Sequence, residues 1–168
     1  MKPVCFLDRD GVINYDFGYV SKFKNIKFTT GIFEGLRLLQ KNFILCIVTN
    51  QSGVARGLFS EKELKLLNRK IIEKLRKHKI KINHVEYCPY HKNSIIKKYK
   101  KKSFFRKPNP GMILKILKKY KINAKNCILI GDKSSDIKAG KKAGIKKNYL
   151  YNEKNNFKEF VKKRISLN

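Results

Sequence analysis

No apolar run in the sequence approaches the roughly 18 residues of a membrane-spanning helix, so no span is expected. Cysteine is sparse, with four in all. Cys5, Cys46 and Cys127 lie in apolar runs, where a free thiol behaves as a small hydrophobe, and only Cys88 is expected in a loop. That pattern excludes a disulfide framework. No stretch is rich enough in glycine, proline or serine to act as a linker, and no internal repeat divides the chain. The 168 residues, 42% of them hydrophobic, therefore predict one domain, 1–168, with a core around a sheet. Nothing resembles a signal peptide, because the first apolar strand begins almost at Met1, and a cytoplasmic location is expected.

Acidic residues are scarce as well: 12 stand against 41 basic ones, for a formal charge of +29. Such a charge points toward nucleic acid or an anionic membrane surface. The basic residues, however, are 34 Lys and 7 Arg, accompanied by 19 Ile and 15 Asn. That bias reads as drift toward codons rich in A and T, since arginine is the residue favoured for phosphate and base recognition. No membrane partner is expected, nucleic acid is kept only as an alternative partner, and a monomer is the default. The charge still draws anionic substrates inward.

Strand-like and helix-like segments alternate along the chain. Val4 to Leu7 reads as a buried strand and Gly31 to Asn42 as a helix with Ile32, Leu36 and Leu39 on one face. Phe43 to Val48 is the second strand. Ser60 and Glu63 form a capping-box signature ahead of a helix to about Lys77, whose apolar face is Leu64, Leu67, Ile71 and Leu75. Ile82 to Tyr87 is the third strand. Cys88 to Pro108 has no period, and its run Lys97 to Lys102 reads as solvated loop. Asn109 and Pro110 fit a cap and first helical position ahead of Ile113, Ile116, Leu117 and Tyr120. Cys127 to Ile130 is the fourth strand, followed by a short helix that Gly144 stops. Asn148 to Tyr151 is a fifth strand, and Phe157, Phe160, Val161 and Ile165 mark an amphipathic tail helix.

This alternation predicts an α/β fold, Rossmann-like and three-layered (α/β/α), with a mainly parallel sheet and no separate cap domain. Right-handed crossovers bring the strands' carboxyl ends to one edge, where such sheets place their ligands. Asp8, Thr49 and Asp132 would meet there. Asp8 and Asp10, one residue apart, repel each other unless a cation relieves them, and a hard cation such as Mg2+ suits them.

Asp8-Arg9-Asp10-Gly11, Thr49, Lys107, and Asp132 with Asp136 resemble, in order and spacing, the four motifs of the haloacid dehalogenase superfamily of phosphohydrolases. Finer matches are Gly18-Tyr19-Val20, the segment Val48 to Gly57, Cys88-Pro89 and Arg106-Lys107-Pro108. They resemble the branch that acts on small sugar bisphosphates, with histidinol-phosphate phosphatases as neighbours. The resemblance implies Asp8 as nucleophile and Asp10 as general acid and base. It implies Thr49 and Lys107 as phosphoryl stabilisers, with Mg2+ held by Asp8, the Asp10 carbonyl and Asp132. Asp136 would steady that cation through water. Asp16, Phe17, Gly18, Tyr19, Asn50, Gln51, Ser52, Arg106 and Lys133 would contact a phosphorylated sugar.

Many members of that branch hold a structural zinc with a Cys-x-His and a Cys-x-Cys pair. Here Tyr90, Ser103 and Phe105 replace three of the four ligands, and Cys88 with His91 cannot close a tetrahedral site. No zinc is expected, and Phe104 and Phe105 are expected to pack where the metal would pin the loop. Without room for a cap, an open pocket also suits a polynucleotide 3′ end, and a non-catalytic basic binding module is the alternative outside enzymes.

Overall fold

The computed structural model describes residues 2–166, so the expected span 1–168 runs beyond the described residues at both ends. Five strands, β1 (Val4–Leu7), β2 (Ile44–Asn50), β3 (Ile82–Cys88), β4 (Ile128–Gly131) and β5 (Lys147–Leu150), form one parallel sheet in the order β3-β2-β1-β4-β5. Between and after them run α1 (Ile32–Asn42), α2 (Glu61–Lys77), α3 (Gly111–Tyr120), α4 (Ser134–Lys142) and α5 (Phe157–Arg164).

The two-residue side-chain period of a strand divides the core in two. Cys5, Leu7, Leu45, Ile47, Ile128 and Ile130 face α1, α2 and α5, while Val4, Phe6, Cys46, Val48 and Leu129 face α3 and α4. A sheet covered on both faces needs strands that are apolar throughout, and β1 and β4 are buried along their whole length. The expected three-layer, Rossmann-like fold is present. From central β1 the chain winds outward through β2 and β3, then crosses back to β4 and β5. The strand order therefore reverses between β1 and β4, which opens a crevice at their carboxyl ends. Leu7 is level with Ile47 and Ile130 across the sheet, so the residues after β1, at the end of β2 and after β4 emerge at one edge.

Local chemistry sets several boundaries. The Ser60 hydroxyl accepts from the Glu63 amide at 3.1 Å, and the Glu63 carboxylate accepts from the Ser60 amide at 2.7 Å. Such a cap contributes about 1 kcal/mol to starting a helix. Three expectations need correction. Cys88 is the last residue of β3, paired across from Asn50, and fully buried, so it is not a loop residue. β4 begins at Ile128, because the Cys127 amide closes a 3₁₀ turn onto the Ala124 carbonyl. Pro110 is the N-cap of α3, one place outside the helix: its carbonyl accepts the first intrahelical bond, from the Leu114 amide at 3.0 Å, while the Gly111 amide, an orphan of the first turn, donates to the Phe104 carbonyl.

The segment from Pro89 to Pro110 is pinned by tyrosines. Tyr99 packs with Val54, Ala55, Phe59 and Leu64, joined by Tyr87 and Tyr90. The Glu61 carboxylate accepts from the Tyr87 hydroxyl at 2.7 Å and the Tyr99 hydroxyl at 2.9 Å. Lys101 lies 3.8 Å from the centre of the Tyr90 ring. The expected packing by Phe104 and Phe105 is not found, since they are 57% and 39% exposed. The run Lys97 to Lys102 is not plain loop, for Lys97–Tyr99 is a 3₁₀ turn that buries Tyr99.

Candidate active site

Asp8 leaves β1 into a buried charge cluster. The Lys107 ammonium stands 2.9 Å from Asp8 Oδ1 and 2.6 Å from Asp136 Oδ1, and donates to the Val48 carbonyl at 2.8 Å. One cation thus bridges two carboxylates out of water, where breaking such a pair is costly. Burial would push the Lys107 ammonium down, but Asp8 and Asp136 outweigh it and hold its pKa above the usual lysine value. Burial pushes the Asp8 carboxyl up to about 7 against the pull of Lys107, with repulsion from Asp136, Asp10 and Asp132 added.

Lys107 comes from the segment after β3 and is hung on β2 by Asn50. The Asn50 amide donates to the Lys107 carbonyl, and its oxygen accepts from the Lys107 amide, both at 3.0 Å. Asn50 lines the cleft, and its side chain also works as a clasp on the backbone of Lys107. Asp136 is tied into the same cluster: one oxygen holds Lys107, and the other accepts from the Lys133 amide at 2.9 Å at the start of α4.

Asp10 has the most donors around it. Oδ1 accepts from Arg9 Nε at 3.0 Å and Asn14 Nδ2 at 2.9 Å. Oδ2 accepts from Arg9 Nη2 at 2.9 Å and Gln51 Nε2 at 2.7 Å. Gln51 also donates to the Thr49 hydroxyl at 2.9 Å. Thr49 itself is buried at the end of β2.

Asp132 is arranged differently. Its Oδ1 is buried with no hydrogen-bond partner among the described residues, and Oδ2 is 3.7 Å from Lys133 Nζ. Burial holds its carboxyl above the ordinary range, opposing Lys133. Carboxylate oxygens of Asp8, Asp132 and Asp136 lie within 4.8 Å of one another. A hard divalent cation takes oxygen ligands, and an unpartnered buried carboxylate oxygen beside Asp8 fits one. Gly11, at φ 82°, makes this approach possible, because a Cβ there would collide with the Asp132 carboxylate. The chain has five aspartates, Asp8, Asp10, Asp16, Asp132 and Asp136, and all five belong to this neighbourhood.

Above the cluster is a cleft of about 420 Å³, lined by Asp16, Gly18, Tyr19, Ser52, Arg106 and Lys133 among others. Asp16 and Lys133 pair at 2.7 Å. Burial would raise the Asp16 carboxyl, but the Lys133 hydrogen bond brings it below its usual value. Arg106 is anchored by donating to the Tyr90 carbonyl at 3.4 Å. Of the expected substrate contacts, Phe17 is the one not gathered: it stacks on Tyr15 at 6.1 Å, is 63% exposed and does not line the cleft. Asn68 and Ser135 were not singled out by the sequence, and Arg9 and Asn14, though part of the first motif, were given no role. For Arg9 a signal existed, an arginine between two aspartates in a chain that otherwise uses lysine.

A HAD-hydrolase-like family model matches residues 104–152. D-glycero-alpha-D-manno-heptose-1,7-bisphosphate 7-phosphatase of Photorhabdus laumondii is 40% identical over 148 residues, 88% of this chain and 81% of that protein. The chain belongs to the haloacid dehalogenase (HAD) superfamily of phosphatases. Another relative of this HAD phosphatase is D-glycero-beta-D-manno-heptose-1,7-bisphosphate 7-phosphatase of Haemophilus influenzae, 41% identical over 151 residues, 89% of this chain and 82% of that one. The crystal structure of D,D-heptose 1,7-bisphosphate phosphatase from B. bronchiseptica, complexed with magnesium and phosphate, superposes with a TM-score of 0.80 at 27% identity, covering 100% of this chain and 89% of that one. Among the described residues, no helix of this HAD phosphatase is long and apolar enough to cross a membrane.

Proposed function

We propose that this HAD phosphatase removes the 7-phosphate of D-glycero-D-manno-heptose 1,7-bisphosphate, with Mg2+, by way of a phosphorylated Asp8. The observation that carries this reading is one arrangement. Asp8 lies 2.9 Å from the Lys107 ammonium and within 4.8 Å of a carboxylate oxygen of Asp132, at the floor of a cleft whose lining also includes the cationic Arg106 and Lys133. The floor suits the phosphoryl group that reacts, and the two further cations suit a second phosphate on the same sugar. The two curated relatives carry different anomers in their names, so no anomer is assigned here.

In the first step an Asp8 oxygen attacks phosphorus and the bond to the sugar oxygen breaks, while Asp10 gives that oxygen its proton. In the second, Asp10 takes a proton from water as the water attacks the aspartyl-phosphate, and phosphate leaves with Asp8 restored. Charge grows on the non-bridging oxygens in both steps, and fixed donors aimed at them lower the barrier. Lys107, 2.9 Å from Asp8, and Thr49, on the lining of the cleft, are the candidates for that task. Asp8, the Asp10 carbonyl and Asp132 would hold Mg2+, which supplies charge neutralisation at the phosphoryl group when bound. A monomer in the cytoplasm completes the reading.

Comparing kcat/KM for heptose 1,7-bisphosphate, histidinol phosphate and a 3′-phosphorylated oligonucleotide tests it. Heptose bisphosphate should lead by at least about 1.4 kcal/mol in transition-state stabilisation, a factor of ten. Preference for histidinol phosphate would overturn the substrate. Preference for the oligonucleotide, with affinity falling steeply in salt, would identify a polynucleotide phosphatase.

A further inference from the structure

The guanidinium of Arg9 is 1% exposed, rare burial for a charge. It makes three side-chain bonds: the two to Asp10 already given, and one from Nη1 to Asn68 Oδ1 on α2 at 2.9 Å. An ionised carboxylate offers about four acceptor positions, and Arg9, Asn14 and Gln51 fill four on Asp10. As arranged, Asp10 has no free position to offer a leaving oxygen. One donor has to give way.

The donors are not equivalent. Arg9 and Asn14 are closed off, at 1% and 0% exposure, whereas Gln51 lines the cleft. Gln51 also has a second acceptor ready, because the same nitrogen already reaches the Thr49 hydroxyl at 2.9 Å. Losing its bond to Asp10 leaves that amide still paired. Arg9 has no comparable alternative, since its fork is bidentate and its far nitrogen is tied to α2.

We infer that Arg9 is a positioning residue for proton transfer: anchored to α2 through Asn68, it fixes the Asp10 carboxylate so that Oδ2, released by Gln51, meets the leaving oxygen. This rests on the reading of Asp10 as the proton-transfer group. A planar fork is needed for the task, and the single ammonium of lysine cannot reproduce it. If Arg9 only filled space beneath the loop, its loss would slow every substrate alike or lower stability alone.

Leaving-group dependence separates these cases, because an activated aryl oxygen departs without a proton and an alkyl oxygen does not. The experiment measures single-turnover release of the leaving group, with saturating Mg2+, from p-nitrophenyl phosphate and a series of alkyl phosphates. Melting temperatures are taken for each variant. Asn68→Ala, which removes only the anchor, should cost about tenfold on alkyl esters and under about twofold on the aryl ester. Arg9→Lys should cost on the order of 10²-fold on alkyl esters and a few-fold on the aryl ester, within the range that general acids contribute. Asp10→Asn run in the same series keeps the two claims apart. Should Asp10→Asn steepen the dependence while both other variants run parallel to the wild type, the inference fails and the role of Asp10 stands. Should Asp10→Asn leave the dependence unchanged, the role of Asp10 itself fails. If Arg9→Lys does not fold, Asn68→Ala decides alone.

Discussion

Asp10 and Asp132 belong to the same sheet edge, yet their oxygens are treated in opposite ways. At Asp10 the chain supplies four donors, from Arg9, Asn14 and Gln51, and both oxygens are fully engaged. At Asp132 one oxygen is buried with no hydrogen-bond partner among the described residues, and the other stands 3.7 Å from the Lys133 ammonium. Leaving a buried acceptor unsatisfied costs about 1–3 kcal/mol, and more when it is charged. A protein that satisfies one carboxylate so thoroughly and leaves its neighbour bare has separated two tasks. The first group is aimed by the protein; the second is suited to a cation.

The largest expected effect breaks that symmetry directly. Asp132→Asn should weaken Mg2+ activation on the order of 10²-fold, while Asp10→Asn should leave the Mg2+ requirement within a few-fold and slow turnover instead. Mg2+ titrations of initial rate read both, and equal shifts in the two variants would dissolve the distinction.

A smaller effect concerns pH. In the folded, cation-free protein Asp8 is pushed up to about 7 by burial, against an ordinary carboxylate value near 4 when unfolded. Between those values the folded state holds more protons than the unfolded state, so this group costs stability as pH rises through the window. Mg2+ favours the ionised form and removes that cost. The rise in melting temperature on adding Mg2+ should therefore be larger at about pH 8 than at about pH 5.5. It should be much reduced in Asp132→Asn at both. A Mg2+ shift independent of pH would mean that Asp8 is already ionised without the cation.

The smallest effect belongs to Gln51→Ala. It removes one of four donors to Asp10, and the one that gives way before the proton moves, so the lost bond is missing from the transition state as well and turnover should fall by no more than about twofold. A loss as large as that of Arg9→Lys would show that the donors are equivalent.

Most of the scaffold was legible because it is written in local periods. The apolar runs at Val4, Phe43 and Ile82 became strands within a residue or two, and Ser60 with Glu63 marked the start of α2. Convergence of Asp8, Thr49 and Asp132 followed from the alternation of strands and helices, which makes the sheet parallel and brings the strands' carboxyl ends to one edge. What escaped was chemistry between residues far apart in sequence. No period announces that Asn50 will clasp the backbone of Lys107, or that Glu61 will collect the hydroxyls of Tyr87 and Tyr99. The loop was expected to pack through Phe104 and Phe105 where a zinc would have pinned it, but it is Tyr99 that is buried, with a hydroxyl that Glu61 satisfies. Cys88 was expected in the aperiodic segment after Tyr87, yet β3 runs up to it, as a strand can run to the residue before a proline.

The central claim is that Asp8 becomes covalently phosphorylated. Its most direct test is mass spectrometry of Asp10→Asn, quenched in acid during turnover of heptose 1,7-bisphosphate with Mg2+. Slow hydrolysis of the intermediate in that variant should leave one phosphoryl group on the peptide containing Asp8, and none when Asp8→Asn is added. Product formed at the same rate with that peptide unmodified would contradict the account.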